Sequence, residues 1–421
     1  MKEISQLIEP RRVHRSVYTD PEIFQKEMER VFRDNWVFLL HESQIPKKDD
    51  YKLIRIGGRP LIVIRKGEES FQVLLNRCPH RGAKVCRNDS GNSKTFTCPY
   101  HGWKFKNNGK AFVIPGSNAY GGQFEKESFS MTTLSKVESY RGFVFGTSNE
   151  TAIPLDQYLG HARKYLDEWL DQGGSIRVSK SAQRYEIACN WKLVFDNAGD
   201  GYHVPFSHQS LIQMTNLRHG GGDMQYFGNA DETGMKIYSL GNGHSVIDQR
   251  PEMYKESAWD QQRPQPGREA FEHNVRKFKR DPKDYLDMAV GAGMNLNIFP
   301  NLLLIGNQIQ VIDPISVNKT VLHWYATLLD HEDDELNAVR MRTQEDFPIM
   351  GEVDDAANFE SCQEGLETIP EIEWVDISRH MSSIEDKGYT DIIDDKPTSE
   401  IHSRSYFQIW KELMTKETDF K

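Results

Sequence analysis

Two short loops constrain this chain more than any other feature. Residues 78–80 read Cys-Pro-His and residues 98–101 read Cys-Pro-Tyr-His, with 17 residues between them. Each loop offers one thiol and one imidazole, and both sit among short strand-like runs such as FQVLLN and KTFTCPY. With only five cysteines in 421 residues, a disulfide framework is not expected, and Cys beside His points to a metal. Structural zinc is one occupant for such a set, but its usual spacing is Cys-x2–4-Cys followed by His-x3–5-His. One Cys and one His from each loop instead suit a [2Fe–2S] cluster with two thiolates on one iron and two imidazoles on the other. The candidate ligands are Cys78, His80, Cys98 and His101. Gly82 and Gly102 follow the histidines, where tight turns turn backbone N–H groups toward the cluster. Pro79 and Pro99 stiffen the loops. Cys86, Cys189 and Cys362 have no such pattern and read as packing.

The wider segment CPHRGAKVCRNDSGNSKTFTCPYHGWKF closely resembles the Rieske domain of aromatic-ring-hydroxylating oxygenase large subunits. That resemblance assigns the four residues to a Rieske cluster and implies a small all-β domain around it.

The chain's organisation has room for more. Residues 21–35 have helical spacing, with Pro early and Phe24, Met28, Val31 and Phe32 on one side. From Trp36 to about Ser148 the texture is strand-like: YKLIRI, PLIVIRK and RGFVFGTS are separated by Gly, Pro, Asn and Asp. Residues 155–171 read as one amphipathic helix. Apolar strands follow at NLNIF near 295, 301–312 and 319–329, then helical stretches from about Asp333 to Glu367 and near 400–416. Residues 250–290 read as a polar surface excursion. The expected division is an arm and helix at 1–35, a Rieske domain at 36–150 and a second domain at 151–421, with an α+β class overall.

A second constellation lies at 190–208, Asn-Trp-Lys-Leu-Val-Phe-Asp-Asn-Ala-Gly-Asp-Gly-Tyr-His-Val-Pro-Phe-Ser-His. His203 and His208 are five residues apart, with Asp200 three before the first. A mononuclear non-haem Fe(II) site uses two His and one carboxylate on one face. Five residues on a regular helix leave two side chains about 140° apart, so spacing alone does not bring the rings together. Pro205 between them predicts a helix distorted or finished here.

The stretch resembles the N-W-K … E/D-N … D-x-Y-H-x4-H signature of the same large subunits, which implies that His203 and His208 are iron ligands. The family's third ligand is an Asp in a D-D-x-x-N-x-E-x-x-Q-x-G segment, here Asp354-Asp355-Ala-Ala-Asn358-Phe-Glu360-Ser-Cys-Gln363-Glu-Gly365. The resemblance places it on Asp355, with Asp354 the alternative. It also gives Asp200 a linking role, bonded to an iron-ligating histidine and to a cluster histidine of the neighbouring subunit. One departure is visible. Two residues separate Asn197 from Asp200 where naphthalene-type members have three, and benzoate-type members share the shorter spacing.

By this resemblance the catalytic domain is helix-grip-like, an antiparallel sheet flanked by helices. The reaction takes O2 and electrons from NAD(P)H and hydroxylates an aromatic ring. Gly220-Gly221-Gly222 lies in a polar stretch without a βαβ context, so a separate reductase, with or without a ferredoxin, is the expected electron source. A small β subunit (α3β3) or an α3 homotrimer is the expected assembly. Local stretches (RNDSGNSKTFTCPYHGW, GDGYHV, PISVNKT and FESCQEG) look most like the benzoate, anthranilate and salicylate branch, and an aromatic carboxylate is the first-choice substrate. Arg218 and His219 are candidates to meet its carboxylate, and Met214, Leu296, Ile298, Leu304 and Asn307 to line the pocket or the core. The alternatives are a homotrimeric Rieske monooxygenase or demethylase, and an electron carrier using the cluster alone. A net charge of −10 argues against nucleic acid. No run approaches the ~20 apolar residues of a membrane span. No apolar leader opens the chain, so a reducing cytoplasm is expected.

Overall fold

The computed structural model describes residues 2–121, 124–172, 175–213, 225–253, 293–330, 334–381 and 392–416. The chain divides into two compact units, Met28–Leu155 and Met1–Glu27 with Asp156–Lys421.

The first unit is built from three small antiparallel sheets. Phe143–Thr147 sits between Lys136–Tyr140 and Val37–His41. Phe71–Leu75, Arg59–Arg65, Asp50–Ile56 and Ser90–Asn92 form the second in that order. Thr95–Thr97, Lys104–Lys106 and Ala111–Val113 form the third. Every residue of Val37–His41 and Phe143–Thr147 is buried, as their continuous apolar runs demand. A core of Ile62, Ile64, Leu74, Phe96, Trp103 and Phe105 also takes in Cys78 and Cys98. Hence the two Cys-His loops leave the barrel-like core with their thiols still inside it.

The second unit is an eight-stranded antiparallel sheet with helices packed on it. Its order is Gln183–Ile187, Lys319–Tyr325, Gln308–Ser316, Leu302–Ile305, Met294–Ile298, Ser245–Asp248, Lys236–Ser239 and Ile393–Asp395. Ala162–Leu170 buries Ala162, Tyr165, Leu166 and Trp169, the i, i+3, i+4, i+7 stripe of a helix on a core. That helix and Trp191–Ala198 both meet the Met294–Ile298 strand, and Ile401–Thr415 meets Lys236–Ser239. The class is α+β, with a sheet flanked by helices.

Local readings change in four places. The helix expected over 155–171 is two, Leu155–Leu159 and Ala162–Leu170, because Gly160 between them adopts a left-handed φ of 49°. The helix expected over 21–35 ends at Arg30. The run at 301–312 is a hairpin around Gly306. The run at 319–329 changes sheet at Ala326, since Thr327–Asp330 pairs with Ser175–Val178 instead. The opening arm also has structure of its own: Arg12–His14 pairs with Ile8–Glu9 and with Trp374–Asp376. Most of the polar stretch 250–290, together with Met214, Arg218, His219 and Gly220–Gly222, lies outside the described residues.

Candidate metal centres and active site

The two Cys-His loops share one backbone design. Cys78 N–H donates to the Ala83 carbonyl at 2.8 Å and Gly82 N–H to the Cys78 carbonyl at 2.9 Å. In the second loop Cys98 N–H donates to Trp103 at 2.7 Å and Gly102 N–H to Cys98 at 3.0 Å. Gly82 and Gly102 close these turns at φ 78° and 71°, a region where a side chain costs about 1–2 kcal/mol. Asn76, buried just before the first loop, ties down the segment that follows it. Its Oδ1 accepts from Val85 and Cys86 N–H at 2.9 Å each, and its Nδ2 donates to the Cys86 carbonyl at 2.7 Å.

Cys78 and Cys98 are buried, whereas His80 is half-buried and His101 exposed. The imidazole rings lie 4.6 Å apart, and Trp103 stacks on His80 at 4.7 Å with planes 4° apart. Burial raises the Cys78 thiol, and the nearby Cys98 adds to it. Burial followed by the His101 charge lowers His80, which keeps its imidazole neutral as a ligand must be. Two soft donors inside and two nitrogen donors at the tip fit a [2Fe–2S] cluster, which Cys78, Cys98, His80 and His101 would hold.

In the second unit Trp191–Ala198 ends before the histidines, and a separate four-residue turn, Val204–Ser207, has His203 at its start and His208 at its end. Breaking the helix puts both rings on one side, with centroids 5.3 Å apart. From the long helix Asp334–Thr368, Asp355 reaches between them. Its Oδ1 is 3.6 Å from His203 Nε2 and 3.4 Å from His208 Nε2, and ligand atoms of the three residues lie within 4.8 Å of one another. That Oδ1 is buried without a hydrogen-bond donor, a costly state for a carboxylate unless a cation meets it.

Behind each ring stands another carboxylate. Asp200 Oδ2 is 3.5 Å from His203 Nδ1, and Asp354 Oδ2 is 3.6 Å from His208 Nδ1. Asp354 therefore stands on the far side of His208 from Asp355. Burial disfavours the imidazolium of His203, but Asp200 and then Asp355 outweigh it and raise the group above its ordinary value. The field that favours a proton there favours a metal cation equally. Asp200 Oδ1 accepts from Tyr202 N–H at 2.6 Å, and its side chain remains partly exposed.

Residues that spacing could not interpret prove to hold this site together. Asn190 caps the Trp191–Ala198 helix by accepting from Lys192 N–H, and its Nδ2 donates to the carbonyls of Tyr18 and Val317. Trp191 Nε1 at 2.9 Å, Lys192 Nζ at 2.6 Å and Trp410 Nε1 at 2.6 Å all donate to Glu27 in a fully buried cluster. On the long helix, Asn358 donates to Ser207, Glu360 accepts from Ala188 N–H and Gln363 accepts from Asn190 N–H. The polar positions of both segments thus fix Asp355 against the two histidines. Leu296, Ile298 and Leu304 are buried in the sheet, where Leu296 faces Leu304 across neighbouring strands, and Asn307 is buried in the turn that follows Leu302–Ile305.

Residues 155–415 match the family described as ring hydroxylating alpha subunit (catalytic domain), and residues 35–140 match the Rieske [2Fe-2S] domain. The chain belongs to the ring-hydroxylating oxygenase alpha subunits. Toluate 1,2-dioxygenase subunit alpha of Pseudomonas putida is 33% identical over 370 residues, 84% of this chain and 79% of that one. The 2-halobenzoate 1,2-dioxygenase large subunit of Burkholderia cepacia is 34% identical over 87% of this chain and 80% of its own. Anthranilate 1,2-dioxygenase large subunit of Acinetobacter baylyi is 33% identical with the same coverage, 87% and 80%. A solved naphthalene 1,2-dioxygenase with indole bound superposes with a TM-score of 0.80 at 25% identity, covering 99% of this chain and 94% of the other. As a member, this alpha subunit is an oxidoreductase that uses a Rieske [2Fe–2S] cluster and a mononuclear iron. Among its described residues no helix is long and apolar enough to cross a membrane.

Proposed function

We propose that this alpha subunit is the terminal oxygenase of a 1,2-dioxygenase system acting on an aromatic carboxylate of the benzoate, anthranilate or salicylate kind. The observation that carries the reading is the convergence of His203 Nε2, His208 Nε2 and Asp355 Oδ1 around one buried point. Three relatives matched over 84–87% of this chain at 33–34% identity are named for toluate, 2-halobenzoate and anthranilate, all aromatic carboxylates, against 30% identity over 83% of the chain for a naphthalene 1,2-dioxygenase large component, and that supports the substrate class.

His203, His208 and Asp355 hold the iron, while Cys78, His80, Cys98 and His101 hold the cluster. The cluster supplies one-electron transfer and the iron supplies O2 activation when they are bound. The protein's part is orientation. Asp200 and Asp354 stand 3.5 and 3.6 Å behind Nδ1 of His203 and His208, and carboxylates on that side favour the tautomer that leaves each Nε2 free for the iron. The partly exposed Asp200 carboxylate, beyond its contacts with Tyr202 N–H and His203, would meet a cluster histidine of a neighbouring subunit. A reductase, with or without a ferredoxin, provides the electrons, and an α3β3 or α3 assembly brings neighbouring copies together.

A second reading is N-demethylation. An N,N-dimethyl phenylurea N-demethylase subunit alpha of Sphingobium is 36% identical over 56% of this chain and 50% of its own length. Single-turnover reactions separate the two. The chemically reduced protein is mixed with 18O2 and benzoate, the toluates, anthranilate, salicylate or an N-methylated aryl urea. Ring products carrying label from O2 with a carboxylate substrate are expected. Cluster oxidation with no labelled ring product from any carboxylate would overturn the substrate class, and formaldehyde release from the urea would replace it.

A further inference from the structure

The last turn of the Trp191–Ala198 helix is held from the sheet and from the C-terminal helix by a closed relay of side chains. A helix leaves its last four carbonyls without intrahelical partners, here those of residues 195 to 198. Asp196 and Asn197 are satisfied locally, by Gly199 N–H at 3.4 Å and Asp200 N–H at 3.1 Å. The other two are met from outside the helix. His402 Nε2 lies 2.7 Å from the Phe195 carbonyl, and Asn297 Nδ2 lies 3.1 Å from the Ala198 carbonyl.

Ser245 joins the two. Its Oγ is 2.7 Å from His402 Nδ1 and 3.1 Å from Asn297 Nδ2. Facing a carbonyl, His402 Nε2 must carry the proton, so Nδ1 accepts and Ser245 O–H donates. Ser245 Oγ then accepts from one Asn297 N–H while the other reaches Ala198. Donor polarity is consistent around the loop and allows one tautomer and one amide orientation. All three residues are buried. Burial holds the His402 imidazole neutral, its pKa pushed down to about 4.

The contact is also steric. A Cβ on Gly199 would lie 2.1 Å from His402 Cγ, so glycine is required there. One helical turn away on the same helix, Asp196 accepts from Ser403 and Tyr406 at 2.9 and 2.7 Å. The next residue beyond this clamped turn is Asp200.

We infer that His402, with Ser245 and Asn297, is a positioning residue that fixes the end of the Trp191–Ala198 helix and so holds Asp200 in register with His203. The inference rests on the linking role proposed for Asp200. His402 touches neither the iron ligands nor the Asp200 carboxylate; it acts through the two carbonyls and the close face of Gly199.

The test compares His402→Leu, Ser245→Ala, His402→Gln and Asp200→Asn with the wild-type holoenzyme, and uses two readouts. Hydrogen exchange at the amides of residues 199–203 needs no substrate and is repeated after iron removal. Reoxidation of the reduced cluster by O2, with benzoate as the probe, reads electron delivery. In His402→Leu and Ser245→Ala, exchange at 199–203 rises roughly tenfold while distant strands stay unchanged. Reoxidation slows by roughly ten- to a hundredfold at wild-type iron and sulfide content. His402→Gln, which can still donate to Phe195 and accept from Ser245, restores both. If His402→Leu fails to fold, the smaller Ser245→Ala change carries the test. Wild-type exchange at 199–203 in Ser245→Ala would overturn the inference, whatever Asp200 does. Asp200→Asn is expected to slow reoxidation with exchange unchanged. Wild-type reoxidation in that variant would instead remove the linking role of Asp200 and leave exchange to decide the positioning of the loop.

Discussion

Asp354 and Asp355 are adjacent in sequence and stand on opposite sides of His208. Successive residues on a helix point about 100° apart, so one meets the front of the His203–His208 pair and the other the back of His208. Asp355→Asn is therefore expected to abolish turnover and empty the mononuclear site with the cluster intact. Asp354→Asn should retain iron when loaded but bind it about 10–100-fold more weakly, as is usual for a carboxylate behind a ligating histidine. Iron titration of the apo-site in both variants checks this, and equal losses would contradict the assignment. The chemistry proposed for the seven metal-centre residues and Asp200 could be read from residue types and motif resemblance. Which acid of the pair faces forward could not be read from spacing. That depends on the rotation of a 35-residue helix, and the contacts of Asn358, Glu360 and Gln363 with distant segments set it.

Among elements, the helix that leads to Asp200 is anchored at its start by charge. Lys192 and Glu27 are an ion pair with both side chains fully buried, and two indole N–H groups complete the solvation of Glu27. Lys192→Met leaves Glu27 as an uncompensated buried charge, and a loss of about 3–5 kcal/mol is expected in urea unfolding of the second unit. A loss under about 1 kcal/mol, typical of a surface pair, would show the cluster to be dispensable. In the first unit, Gly102→Ala meets Pro115 only at 3.5 Å, so its cost of about 1–2 kcal/mol is conformational. Reduced sulfide content is the expected sign of it. Element type was largely readable from apolar periodicity, because the long helix and the sheet strands follow their runs. The breaks were not: Gly160 splits one helix by its own left-handed turn, and Ala326 passes one apolar run between two sheets, where tertiary pairing overrides an unbroken local pattern.

The behaviour of the whole molecule toward acid follows from its buried histidines. Burial pushes His41 in the first unit, and His244 and His402 in the second, down to about 4. Their unfolded value is about 6.5. The unfolded chain takes up protons below that value which the folded chain refuses. The stability they contribute is complete above pH 6.5 and is lost as pH falls toward 4. Asp196 runs the other way. Burial, opposed by hydroxyl donors from Tyr406, Ser403 and Tyr18, raises it to about 6. Between pH 6 and 4 the folded chain therefore protonates it first, and this offsets one histidine. His41 should therefore cost the first unit about 1.4 kcal/mol per pH unit across that range, while Glu352 and Glu400, both raised by burial, offset the histidines of the second unit further. His41→Gln should level the dependence of the first unit, as measured by urea unfolding between pH 7 and 4.5. Stability that rises on acidification in the wild type would contradict the account.

Iron and acid-labile sulfide, measured per chain after anaerobic purification of the wild type and His203→Ala, test most directly whether one chain carries two metal centres with His203 in the second. About three irons and two sulfides are expected in the wild type, and about two irons with sulfide unchanged in the variant. Equal iron in both proteins would contradict the mononuclear site, and zinc in place of iron and sulfide would contradict the cluster as well.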